Sequence, residues 1–282
     1  MKFAASVIAL SAGASIANAQ IGFVDFNGVE TGLVGYTNAI YSYTGPGLGT
    51  NATLLDQGLG NANSSWSPGD AFWPMTRANL APNGIGMPFG ISDDSVAPAA
   101  GNTLFETDTQ GFAGQAFDNN GFFGVIDTEN SSNSGPTVAT FDFDITGASN
   151  LGFQVDLVAM GDFEASGDFI RFEYSIDGGS FTTLLESTID ESLTQTYTMD
   201  NPANNPVMID DPMVVAGVLL NDEYQTFSAA IAGSGSTLSI RFTAQLDGGS
   251  EGFGFDNLTI VPAPGAAALL ALGGLVASRR RR

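Results

Sequence analysis

Asp162-Phe163-Glu164-Ala165-Ser166-Gly167-Asp168 gathers three carboxylates around one glycine. Carboxylates at that density are hard oxygen ligands and suit calcium, which takes six to eight oxygens. With Glu173 in twelfth place, the stretch matches a D-x-[DN]-x-[DN]-G-x5-E calcium loop at its first Asp, its Gly and its final Glu. It departs at the third place, Glu164, and at the fifth, Ser166. The flanks alternate apolar and polar residues as strands do, and five strand residues carry Glu173 roughly 16 Å from Asp168. A helix-loop-helix calcium hand is therefore excluded. The expectation is a sandwich-edge loop in which Asp162, Glu164 and Asp168 face one ion. Turn formation competes with that reading, because Asp is the better turn former and many of its copies here flank glycine.

Composition removes most other chemistry. The 282 residues hold 8 Lys or Arg against 30 Asp or Glu, with no Cys and no His, for a formal charge of −22. Lys2 and Arg279, Arg280, Arg281 and Arg282 occupy the two ends, so the stretch between keeps only Arg77, Arg171 and Arg241. A nucleic-acid binder needs a basic footprint, and none exists. Without His, Cys or a body lysine there is no Ser-His-Asp or Cys-His triad, no Schiff base and no His- or Cys-ligated zinc. The body is expected to be non-enzymatic. A carboxylate-pair glycoside hydrolase is the lesser alternative, since acids are plentiful but none sits in a recognisable motif. Trp66 and Trp73 lie in a stretch rich in Asn, Ser and Gly, near Tyr36, Tyr41 and Tyr43. Flat aromatic rings there can cover the apolar face of a sugar, although aromatic residues are more often core. A carbohydrate-binding module with a defined sugar site is thus the main alternative.

The elements that must position these groups read as strands. Phe141-Asp142-Phe143-Asp144-Ile145 alternates strictly, as do residues 151–158, 170–176 and 238–242. The body ends on Phe253, Phe255 and Leu258-Thr259-Ile260. Glycine turns separate the runs: Asp177-Gly178-Gly179-Ser180, Gly233-Ser234-Gly235-Ser236 and Asp247-Gly248-Gly249. Period-two alternation broken by such turns predicts an all-β, antiparallel, jelly-roll-like β-sandwich. A single domain over residues 20–261 is expected, with a loop-rich region at 44–110 punctuated by prolines.

Both ends read as addresses. A positive start, a short apolar run and Ala17-Asn18-Ala19 form a signal peptide over residues 1–19. It would form an N-terminal signal helix, pass through the Sec export machinery and be cut by signal peptidase between Ala19 and Gln20. At the other end, Pro262-Ala263-Pro264 breaks the chain, residues 266–277 form a hydrophobic helix and the four arginines close it. Residues 265–277 fall short of the ~20 that cross a bilayer core unaided, and terminal arginines hold such a tail on the cytoplasmic side.

Breaker, short helix and arginine cluster together resemble the PEP-CTERM sorting signal of Gram-negative bacteria, with Pro262, Ala263 and Pro264 where that family usually has Pro-Glu-Pro. The resemblance covers residues 262–282. It implies an exosortase-type transpeptidase as partner, transient inner-membrane anchoring, and delivery to the cell surface, outer membrane or extracellular matrix. Residues 21–26 and 252–260, the latter with Phe255-Asp256-Asn257-Leu258, are similar to the first and last strands of extracellular carbohydrate-binding and MAM-type jelly rolls. That resemblance implies adjacent terminal strands and a structural calcium between them, with Asp25 or Glu30 from one end and Asp256 and Glu251 from the other. Asp256 closing a turn is an equal alternative. The expected function is an exported, calcium-stabilised surface or matrix protein associated with extracellular polysaccharide.

Overall fold

In a computed structural model of the chain, the described residues are 20–38, 42–44, 71–76, 121–129, 134–197, 207–248 and 251–262. From the N-terminus the strands are β1 (Gly22–Val24), β2 (Glu30–Thr31), β3 (Leu33–Asn38), β4 (Ser42–Thr44), β5 (Ala71–Thr76) and β6 (Gly121–Ile126). The middle supplies β7 (Thr137–Asp144), β8 (Leu151–Met160), β9 (Phe169–Ile176), β10 (Thr182–Ile189), β11 (Thr194–Tyr197) and β12 (Val207–Asp210). Then come β13 (Met213–Val215), β14 (Val218–Leu219), β15 (Gln225–Ile231), β16 (Thr237–Gln245) and β17 (Gly252–Pro262).

Two antiparallel sheets form a sandwich. One runs β15-β8-β17-β1-β2, with β6 also paired to β17 and β5 to β6. The other runs β14-β13-β10-β9-β16-β7-β3-β4, and β11 with β12 makes a separate ribbon. The strands follow the alternation. Ile170 and Phe172 of β9 are buried, and Tyr174 and Ile176 pack against the same core. The β9–β10 hairpin turns at Asp177 and Gly178, whose φ values of 51° and 73° are those of a type I′ turn. Gly179 N–H closes it on the Ile176 carbonyl at 3.0 Å.

Phenylalanines fill the space between the sheets. Phe123 and Phe255 of one sheet stack at 4.8 Å, and Phe172 and Phe242 of the other meet at 4.8 Å. Phe242 touches Phe255 across the gap at 4.8 Å. Such ring pairs each add about 0.5–1.5 kcal/mol beyond the area they bury.

The chain's first and last described strands are neighbours: β1 pairs antiparallel with β17, Gly22 opposite Ile260. On its other edge β17 pairs with β8, and a register shift between Asp256 and Thr259 inserts one extra residue. Asn257 sits there at φ 52°, the left-handed conformation that a G1-type bulge uses. The expected signal helix with Ala17 and Ala19, the tail after Pro262 with Ala263, Pro264 and the arginines, and Trp66 all lie outside the described residues. Of region 44–110 the described part is Thr44 and β5, with Trp73 in β5 opposite Gly124.

Candidate metal centre

β8 and β17 are neighbours in one sheet, and β9 and β16 are neighbours in the other. The crossovers β8→β9 and β16→β17 therefore leave and enter the sandwich side by side. Each carries two acids. Glu164 and Asp168 come from the first, Asp247 and Glu251 from the second, and one oxygen of each lies within 4.8 Å of the others.

Local geometry explains the convergence. Phe163 is fully buried and anchors the first crossover in the core. Beyond it the chain makes a tight turn, with Asp168 N–H on the Glu164 carbonyl at 2.8 Å. Asp168 Oδ2 accepts the Glu164 N–H at 2.6 Å and Oδ1 the Asp247 N–H at 3.1 Å. Glu251 Oε2 accepts the Gly248 N–H at 3.1 Å. A Cβ on Gly167 would stand 2.7 Å from Asp247 Oδ2, and one on Gly248 would collide with the Glu251 carboxylate. Glycine at both positions lets backbone and carboxylate approach this closely.

The electrostatics of the cluster oppose four free negative charges. Glu251 is 1% exposed. Its burial, followed by the charges of Asp168, Glu164 and Asp247, pushes its carboxyl up to about 10. Asp168 is raised by burial and by Asp247, against the backbone N–H groups that lower it. The two arginines among the described residues are engaged elsewhere: Arg171 with Glu186, and Arg241 with Glu173 at 2.7 Å. Protons or a metal cation must balance the site. Four carboxylates form an oxygen-only donor set of the kind calcium takes. The buried acidic cluster can hold such an ion.

This grouping redistributes the acids singled out in the sequence. Glu164 and Asp168 meet as expected, while Asp162 is not among the four acids: it is buried, and its charge, with that of Asp222, adds to the rise that burial imposes on the Tyr197 hydroxyl. Glu251, expected with the terminal strands, belongs instead to this cluster. In the sequence Asp247 stands out only as part of a glycine turn. Its signal was present, since Asp247 and Glu251 bracket that turn just as Glu164 and Asp168 bracket Gly167.

The terminal-strand acids form a different arrangement. Asp256 faces Asp156 across the β17–β8 pair and also feels Asp25, while Glu30 stands opposite Val24. Asp25 Oδ1 accepts the N–H groups of Asn27 and Val29 at 2.9 and 3.0 Å, the turn role of an Asp. Asp256 is 6% exposed, and burial raises its carboxyl to about 7, with Asp25 and Asp156 adding to the shift and the Asn257 N–H opposing it. Among the described residues, Asp25, Glu30 and Asp256 form no group of three or more acids with oxygens within 4.8 Å of one another. Glu173, the twelfth residue of the calcium-like pattern, is spent on Arg241.

No family model matches the sequence, and no curated protein matches it. Among solved structures, the chain is similar to a CBM61 carbohydrate-binding module in complex with β-1,4-galactotriose, at 10% identity and a TM-score of 0.28, over 51% of this chain and 72% of the module. It is similar to the CBM22-1 xylan-binding domain of Paenibacillus barcinonensis Xyn10C at 11% identity and 0.24, over 53% and 76%. The K1 cleaved adhesin domain of Lys-gingipain from Porphyromonas gingivalis W83 aligns at 13% and 0.27, over 50% and 74%. These are distant similarities of β-sandwich arrangement.

Proposed function

We propose that the chain is an exported, non-enzymatic protein of the cell surface or extracellular matrix, whose sandwich is locked by calcium and which associates with extracellular polysaccharide. The observation behind the calcium is the Glu164–Asp168–Asp247–Glu251 cluster, built from two crossovers that join the same pair of sheets. An ion there ties both crossovers and contributes stability. Residues 1–19 and 262–282 supply the addresses, with the Sec machinery, signal peptidase and an exosortase-type enzyme as transient partners. The polysaccharide association rests on that destination. An acidic surface meets acidic polysaccharide only through bridging cations, whereas neutral polysaccharide meets no such barrier.

Thermal melts of the full chain in excess chelator and in millimolar calcium test the lock. Linkage adds about 2.7 kcal/mol when calcium stands at 100 times its dissociation constant. The expected result is a rise in Tm that magnesium does not reproduce. A rise no larger than that from added salt overturns the calcium reading. The intact mass of the exported protein reads the addresses: a first residue of Gln20 and loss of the tail are expected, and a chain that retains both ends rejects them.

A further inference from the structure

We propose that the groove beside the acidic cluster binds a short segment of neutral polysaccharide. The proposal deepens the preceding reading and rests on it for the role of calcium. The groove has a volume of about 440 Å³ and lies where the 165–168 turn meets the start of β9, the end of β10 and the end of β16. Small-ligand sites commonly have volumes in this range.

Its lining alternates hydrogen-bonding groups with apolar surface. Ser166 and Thr188 offer exposed hydroxyls, and Gln245 offers an amide that can both donate and accept. Ser187 Oγ accepts the Ile170 N–H at 2.8 Å, which leaves its own O–H to donate. Phe169, opposite Gln245 in the sheet, brings a half-buried ring. A sugar presents the complementary pattern, with hydroxyls around its rim and C–H groups on its face.

Charge selects the neutral class. Asp168 is the ionisable residue lining the groove, and the rest of the acidic cluster stands behind it. Arg171, the nearby cation, is held by Glu186 and lies over the Phe169 ring at 5.4 Å. A uronate or sulfated chain would meet carboxylates, and the two arginines among the described residues are already paired with Glu186 and Glu173. Asp168 also belongs to both places: it closes the 164–168 turn that forms one wall and supplies an oxygen to the cluster. An ion in the cluster fixes that wall, so calcium strengthens sugar binding without touching the sugar.

Isothermal titration of the full chain tests this with neutral cello-, xylo-, manno- and galacto-tetrasaccharides and a uronic acid tetramer, in calcium and in chelator. One neutral series is expected to bind and the uronate tetramer not to. Thr188→Arg, at an exposed position, and Gln245→Ala are each expected to weaken binding by about tenfold or more while leaving the melt and its calcium response unchanged. If calcium raises the Tm but no neutral sugar binds, the groove is overturned and the metal lock stands. Sugar bound through the groove equally in chelator, with no calcium effect on melting, supports the groove and removes the metal. Binding lost in Trp73→Ala but kept in Thr188→Arg overturns the groove.

Discussion

Asp247 donates its backbone N–H to Asp168 Oδ1 at 3.1 Å across 79 residues of sequence. This bond joins the two crossovers directly, and it makes the position of one acid depend on the carboxylate of another. The cluster is thus partly assembled by its own hydrogen bonds, which lowers the ordering an incoming ion must impose.

Glu251→Gln separates charge from shape. Glu251, held up to about 10, carries its proton at neutral pH when no cation is bound, so the amide replaces a neutral acid of the same size. The melt in chelator is expected to stay within about 1 kcal/mol of the parent, while the gain on adding calcium disappears. A retained calcium gain removes Glu251 from the ligand set.

Gly248→Ala tests the close approach. Its new methyl collides with the Glu251 carboxylate, and such overpacking costs about 1–3 kcal/mol. Both a lower Tm and weaker calcium affinity are expected, read by melts over a calcium titration. A variant that melts and binds as the parent does shows that Glu251 can move aside.

Asp256 imposes a pH dependence of definite sign. Its carboxyl stands at about 7 in the fold and near 3.9 in an unfolded chain. The fold therefore holds this proton more tightly, so the contribution is full below about pH 4 and is lost as pH rises to about 7. Urea midpoints of Asp256→Asn against the parent isolate the effect. The variant is expected to gain about 3 kcal/mol relative to the parent between pH 4.5 and 7.5. A constant difference across that range assigns the slope to other groups.

Arg241 is a structural cation. It bonds Glu173 Oε2 through Nε at 2.9 Å and lies 3.8 Å from the centre of the Phe181 ring. Arg241→Met leaves Glu173, 8% exposed, without that cation and is expected to cost about 2–3 kcal/mol. Adding Glu173→Met is expected to restore most of the loss in chemical denaturation. A double variant no better than the single shows that packing on Phe181, and not the ion pair, carries the effect.

The sandwich was legible because its signals are local. Ile170 and Phe172, or Phe141 and Phe143, mark an inward face by spacing alone, and Asp177-Gly178 specifies its turn through backbone conformation. The cluster was legible only in half. Glu164 and Asp168 lie four residues apart, and one turn brings them together. Asp247 and Glu251 reach them because β8 pairs with β17 and β9 with β16, a relation between strands far apart in sequence. Asp162 lies two residues before Glu164, yet it is not among the four acids that gather. The terminal strands do pair, yet that did not decide where Glu251 sits, since Glu251 precedes β17 and follows the crossover.

The place of β17 sets an order of events. This strand holds β8 on one edge and β1 and β6 on the other, and it is made after all of them. During synthesis, the earlier strands of its sheet stay without their common neighbour until residues 252–262 emerge. Contacts of such long sequence separation form slowly. Until β17 is made, β8, β1 and β6 have no strand between them, whereas the other sheet lacks none of its strands. The arrival of β17, with Glu251 just ahead of it, then completes that sheet and the four-acid cluster in one step.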